Sequence, residues 1–193
     1  MQIKNIAVLI SGSGSNLQAV IDASLKNEIN GKVSVVISHK KDAYGLERAK
    51  KHNIDAIYLN PKEYKNNEEY HGAIIEKLKE HNIDFVVLAG YLKILTKDFV
   101  KKYEGRIINI HPSLIPKYCG KGFYGIKVHE AVINGNEKET GATVHFVDEG
   151  TDTGKIIIQE KLSIDIGETK EHLQKRVLDI EHSILIKALK KVL

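Results

Sequence analysis

Three stretches of this chain carry side chains whose types and spacing suit chemistry. In Arg106-Ile107-Ile108-Asn109-Ile110-His111-Pro112, an apolar run ends in two polar side chains. Asn109 and His111 are two residues apart, so on a strand both point to one face. Pro112 cannot continue a hydrogen-bonded ladder and fixes the exit, with Pro116 a little further on. A carboxamide N–H can donate to an oxyanion that develops in acyl transfer, and an imidazole moves a proton near neutral pH. The bland alternative is an Asn and a His satisfied by nearby backbone. The shared face and the rigid exit favour chemistry.

The second stretch, Ser11-Gly12-Ser13-Gly14-Ser15-Asn16, joins an apolar run to a helical pattern. Free N–H groups and the helix dipole at such a junction favour an anion. Gly12 and Gly14 let the backbone approach a phosphate, and Ser13, Ser15 and Asn16 add donors. The alternative is a tight turn with Ser15 as the helix N-cap. A dinucleotide fingerprint fails, because Leu17 stands at the sixth place of G-x-G-x-x-G and the next strand ends in Ser38-His39-Lys40 without an acid. A G-x-S-x-G elbow and a P-loop lysine are also missing. A cradle for a phosphate monoester remains.

The third stretch is Asp148-Glu149-Gly150-Thr151-Asp152-Thr153-Gly154. A carboxylate near His111 would favour the imidazolium and raise its pKa above ~6.5. Spacing leaves Asp148, Glu149 and Asp152 equal candidates, each also readable as part of a solvated turn. Of the other histidines (His39, His52, His71, His81, His129, His145, His172, His182), none forms a close pair with a Cys or a second His, so no metal site is expected. Cys119 beside Gly120 reads as an inert loop residue.

These stretches need elements to position them. The run Ile3 to Ile10, then Val33 to Ile37, Ile54 to Leu59, Asp84 to Ala89 and Arg106 to Ile110 read as buried strands. Helical faces alternate with them: Leu17-Val20-Ile21-Leu25, Ala43 to His52, Tyr70-Ile74-Leu78 and Thr96 to Lys102. His52 and His81 fall at helix ends, each just before an Asn. This alternation predicts an α/β fold: a doubly wound, Rossmann-like, mostly parallel sheet with helices on both faces. From Gly141 the pattern changes, and Thr143 to Val147 and Lys155 to Lys161 predict mixed strands added at the C-terminal edge. Leu173, Val177, Ile180, Ile184 and Ala188 predict a closing helix. In such sheets ligands sit beyond the carboxyl ends of the strands, which is where all three stretches fall.

At 193 residues without repeat or linker, one domain over 1–193 is expected. Hydrophobic residues at 42% and charged residues at 28% exclude a disordered chain, a collagen-like fibre and a coiled-coil rod. No apolar run approaches the ~20 residues of a membrane span, and no secretory leader pattern precedes the first strand. With 29 Lys+Arg against 25 Asp+Glu, the charge is +4, but the signs are interleaved, so no nucleic-acid partner is expected. A single cysteine fits a reducing, cytoplasmic setting.

Ser11 to Gln18, Leu88-Ala89-Gly90-Tyr91-Leu92-Lys93-Ile94-Leu95, Asn109-Ile110-His111-Pro112-Ser113-Leu114-Ile115-Pro116 and Val144 to Gly154 stand together in an order that resembles the phosphoribosylglycinamide formyltransferases, folate-dependent enzymes of purine synthesis. The resemblance runs from about Asn5 to Ile186. The Asn-x-His-Pro-Ser-Leu segment is common to the whole formyltransferase superfamily, whereas the first loop discriminates. Methionyl-tRNA formyltransferases differ in that loop and add a C-terminal domain; formyltetrahydrofolate deformylases add an N-terminal regulatory one.

The resemblance implies that Gly14, Ser15 and Asn16 hold the phosphate of glycinamide ribonucleotide and that Glu181 reaches its glycinamide or ribose end. It implies that Leu92, Lys93, Ile94 and Leu95 line a pterin pocket, closed by Asp148, Glu149, Gly150, Thr151 and Asp152. Folate-binding and catalytic elements would then lie between about 85 and 155, with phosphate binding in the N-terminal half. It names Asn109, His111 and Asp152 as the catalytic trio, Asn109 also touching folate, with 10-formyltetrahydrofolate as co-substrate and no metal. A tetrahedral intermediate would be stabilised by Asn109 and protonated His111. Small-molecule substrates and a monomer or homodimer are implied, with folate deformylation by water as the alternative reaction. Asn66-Asn67 stand where several relatives carry an arginine, which moves the folate-tail contacts to Lys65 or elsewhere. Cys119 replaces a usual proline, and Lys121 to Lys127 is longer than in some relatives.

Overall fold

A seven-stranded sheet forms the centre of the molecule, and the computed structural model describes residues 2–193 of it. The strands are β1 (Lys4–Ile10), β2 (Gly31–Ser38), β3 (Asp55–Tyr58), β4 (Phe85–Leu88), β5 (Ile107–His111), β6 (Glu139–Phe146) and β7 (Ile156–Ser163). Their order is β3-β2-β1-β4-β5-β6-β7. The first five run parallel, and β6 and β7 each run antiparallel to the preceding strand, as the change of pattern at Gly141 predicts.

β-branched and leucine side chains on β1 are buried on both faces, so this strand feeds two cores by simple alternation. Ile6, Val8 and Ile10 face α1 (Ser15–Leu25), α2 (Tyr44–Lys51), α5 (Ile126–Asn134) and α6 (Lys170–Val192). Ala7 and Leu9 face α3 (Asn67–Glu80) and α4 (Lys97–Lys102). Asn66 caps α3 by accepting a hydrogen bond from Glu69 N at 2.8 Å. No helix among the described residues is long and apolar enough to cross a membrane.

Four local features differ from expectation. The helix α5 and a 3-10 turn at Pro61–Glu63 were not legible in the apolar pattern. β6 begins at Glu139, ahead of Thr143, because pairing with β7 carries the ladder through Gly141. Ser15 is the first helical residue of α1, and the N-cap is Gly14, left-handed at φ 71° with no side-chain cap.

Candidate active site

β1 and β4 are neighbours that wind away in opposite directions, so the crevice at their carboxyl ends is the switch point of the sheet. Two of the three sequence stretches open on it, and the third folds over it.

β5 ends the apolar Ile107-Ile108 run with Asn109 and His111 on one face. The loop after β6 brings Asp152 to both. Asn109 Nδ2 donates to Asp152 Oδ1 at 3.3 Å, and His111 Nδ1 lies 3.7 Å from Asp152 Oδ2. Gly120 N donates to Asp152 Oδ2 at 2.8 Å. Neither alternative acid reaches the pair. Asp148 accepts from Gly150 N at 3.0 Å and from Thr153 Oγ1 at 2.6 Å, and so shapes its own loop. Glu149 pairs with Lys97 at 3.0 Å on the surface.

His111 is buried, and its Nε2 lies 2.9 Å from the Tyr118 carbonyl. A carbonyl only accepts, so Nε2 carries the proton and Nδ1 holds the lone pair of the neutral ring. Burial pushes the His111 pKa below its ordinary value, and this outweighs the upward pull of Asp152 and of the Tyr118 carbonyl. That corrects the expected imidazolium: the carboxylate is present, but dehydration wins, and the resting ring is neutral at pH 7. Burial works to raise the Asp152 pKa, yet the Gly120 N–H and the neighbouring His145 and His111 rings hold it below the usual value.

His145 is a fourth member that residue spacing does not reveal. It pairs with Asn109 across β5 and β6, is buried, and lies 3.6 Å from Asp152 Oδ1. Its Nδ1 donates to the Phe146 carbonyl at 2.8 Å, and its Nε2 lies 3.2 Å from Asn109 Nδ2. Only a strand pairing, invisible along the sequence, brings it there.

The group opens into a cleft of about 300 Å³. Leu92, Lys93, Ile94 and Leu95 form one wall, Asp148, Gly150, Thr151 and Asp152 another, and Lys121 to Gly125 the rim. Leu92 and Ile94 are 45% and 60% exposed, apolar surface available to a flat ring system. Glu149 does not line the cleft, and neither does Lys65, which pairs with Glu69 at 3.7 Å. Lys93 and Lys121 are the lysines on its walls.

The loop Ser11 to Asn16 lies at the end of β1. Its carbonyls are tied back: Gly12 O accepts from Gly45 N at 3.1 Å and Ser13 O from Arg48 Nε at 2.9 Å. The first N–H groups of α1 have no side-chain cap, and such groups suit an anion. Gly14 is required twice over, by its positive φ and because a Cβ there would lie 2.7 Å from Gly45 Cα. Asn16 Nδ2 donates to Glu181 Oε2 at 2.6 Å across α1 and α6, while Asn16 Oδ1 is buried without a partner. Burial raises the Glu181 pKa to about 7, against the Asn16 hydrogen bond. Ser11 Oγ accepts from Leu92 N at 2.8 Å and so joins this loop to the cleft wall. β4 alone separates β1 from β5, so loop and trio stand roughly 10 Å apart.

A Rossmann-like sheet carrying an Asn-His-Asp group two strands from a glycine-bearing loop at a helix start has the geometry that acyl transfer needs. A family model described as formyl transferase matches residues 4–189, and the chain belongs to that family of enzymes. It is 43% identical over 182 residues to a phosphoribosylglycinamide formyltransferase of Haemophilus influenzae, spanning 94% of this chain and 84% of the relative. It is 43% identical over 191 residues to a trifunctional purine biosynthetic protein adenosine-3 of Chironomus tentans, spanning 98% of this chain but 14% of that protein. The crystal structure of a phosphoribosylglycinamide formyltransferase from Bacillus halodurans superposes with a TM-score of 0.92 at 41% identity, covering 98% of this chain and 95% of that one.

Proposed function

We propose that this enzyme transfers the formyl group of 10-formyltetrahydrofolate to the amine of N1-(5-phospho-ribosyl)glycinamide, a step of purine synthesis. The observation that carries this reading is the Asn109–His111–Asp152 group open to an apolar cleft, two strands from an anion cradle. A ribose with a short amide arm spans that separation. The N-terminal half then holds the phosphorylated substrate, through Gly14, Ser15 and Asn16. Glu181 is the partner for its polar end, and Asn16 Oδ1 is an acceptor that a ligand donor satisfies. The folate ring lies against Leu92, Lys93, Ile94 and Leu95 under the Asp148 to Asp152 loop. Lys93 and Lys121 suit its anionic tail.

As the substrate amine attacks the formyl carbon, Asn109 donates to the developing oxyanion, yielding one of two long hydrogen bonds to do so. Neutral His111 accepts the amine proton at Nδ1, the atom its tautomer leaves free. The imidazolium so formed lies beside Asp152, which stabilises a charge that exists only during reaction. His111 returns that proton to the leaving folate nitrogen as the carbon–nitrogen bond breaks. Formylated amine and tetrahydrofolate result, with no covalent enzyme intermediate and no metal in the step. A single cysteine fits a cytoplasmic setting, and a monomer or homodimer is enough, since every group named lies on one chain.

The test follows folate absorbance as the protein meets 10-formyltetrahydrofolate with and without glycinamide ribonucleotide. Turnover only with the ribonucleotide is expected. Equal turnover without it makes water the acceptor and the enzyme a deformylase.

A further inference from the structure

We propose that Tyr118, anchored through its phenol to Glu137, is a positioning residue that sets the ring tautomer of His111 and the aim of Asp152. The kinetic side of this proposal rests on the transferase reading; the structural side does not.

Tyr118 adopts φ 51°, a left-handed conformation uncommon for a bulky aromatic residue. In that conformation its carbonyl meets His111 Nε2 at 2.9 Å, and the N–H of Gly120, two residues on, meets Asp152 Oδ2 at 2.8 Å. One short segment thus holds both partners of the His111–Asp152 pair by main-chain atoms. The arrangement matters because Asp152, 3.7 Å from Nδ1, by itself favours a proton on Nδ1. That tautomer would leave Nδ1 unable to accept a proton from a substrate. The Tyr118 carbonyl opposes it by taking the proton of Nε2.

What holds Tyr118 lies at the far end of α5. Tyr118 Oη donates to Glu137 Oε1 at 3.0 Å, and Lys117 Nζ lies 3.0 Å from both carboxylate oxygens of Glu137. The Tyr118 ring also meets Phe123 edge-on at 6.1 Å. Gly135, the C-cap of α5, makes room for the phenol: a Cβ at that position would overlap the Tyr118 hydroxyl. Gly135 has φ −76°, so alanine there adopts an ordinary backbone and acts mainly through that overlap, with the Ala131 carbonyl at 3.2 Å and Tyr118 Cζ at 3.3 Å as its next contacts.

The experiment reads the ring nitrogens of His111 by 15N NMR in the wild-type protein, Tyr118→Phe, Glu137→Gln, Gly135→Ala and the Tyr118→Phe/Gly135→Ala double variant. No substrate is needed, so the tautomer result stands even where the transferase assay finds no turnover. Wild type is expected to hold the Nε2–H form above pH 7. Tyr118→Phe, which keeps the ring and its packing, is expected to populate the Nδ1–H form. It should also lose about tenfold or more in kcat, with both KM values within about twofold. Gly135→Ala should do the same, and the double variant should be no worse than Tyr118→Phe, because removing the hydroxyl removes the overlap. Glu137→Gln keeps an acceptor for the phenol and should fall between Tyr118→Phe and wild type. An unchanged His111 tautomer in Tyr118→Phe and in Gly135→Ala overturns the proposal, whether or not kcat falls, since a loss without a tautomer change is general loosening.

Discussion

His111 stands where two opposing influences meet: burial disfavours its charged form, and the Asp152 carboxylate favours it. Asp152→Asn removes the favourable influence and leaves burial in place, so the His111 pKa falls further below 6.5. An NMR titration of the two proteins checks this; an unchanged or higher His111 pKa in the variant would sink it. The same substitution removes the charge that meets the imidazolium during reaction and should lower kcat by about 10²-fold or more. Much at this scale was legible. The spacing of Asn109 and His111 on a strand gave their shared face, and the exit at Pro112 their position at its end. The choice of Asp152 over Asp148 and Glu149 came from family resemblance rather than spacing, because reach depends on how the loop folds back. The resting charge of His111 was misread, since dehydration is a property of packing and no residue type encodes it. His145 was missed for a similar reason, as its partnership with Asn109 is made across two strands.

Elements set the proposed anion cradle as much as side chains do. Gly14 and Gly45 bring the N-terminal turns of α1 and α2 into contact, and the Gly12 and Ser13 carbonyls point at α2. Gly14→Ala therefore meets both a left-handed backbone, costing roughly 1–2 kcal/mol, and a close contact with Gly45 Cα. The expected outcome is a KM for glycinamide ribonucleotide raised about tenfold or more, with the folate KM nearly unchanged. Steady-state titration of each substrate measures it, and a variant with both KM values at wild-type level would refute the cradle. The strands were legible because β-branched runs bounded by polar turns have few other uses. α5 was not. It opens after the Gly120 to Gly125 run with Gly125 as its N-cap and no side-chain cap, so the usual start signal is missing. It is nonetheless the element whose far end carries Gly135 and leads to Glu137.

Across the whole molecule, burial of titratable groups predicts how stability changes with pH. Burial holds His71 and His129 at about 4, with Lys93 and His111 adding to the effect. On unfolding both return to about 6.5, so the unfolded chain binds two protons more, and stability rises with pH across that window. Glu181, raised to about 7, acts the other way, since its folded form keeps a proton that the unfolded form loses. Two protons against one leave a net gain between about pH 4.5 and 6.5, of at most about 1.4 kcal/mol per pH unit. Urea midpoints should rise from about pH 5 to about 6.5; a flat or falling series would contradict the buried neutral histidines. The fold class was legible from the alternation of elements, but the burial of these three groups was not, because it depends on which helix covers which face.

The most direct test of the central claim follows the formyl carbon itself. The protein is mixed with glycinamide ribonucleotide and 10-formyltetrahydrofolate carrying a labelled formyl group, and the products are read by mass spectrometry. The account predicts the label on the ribonucleotide's amine in wild type and its near-complete loss in His111→Ala. Label released as free formate, or appearing on the amine at the wild-type rate in His111→Ala, would contradict it.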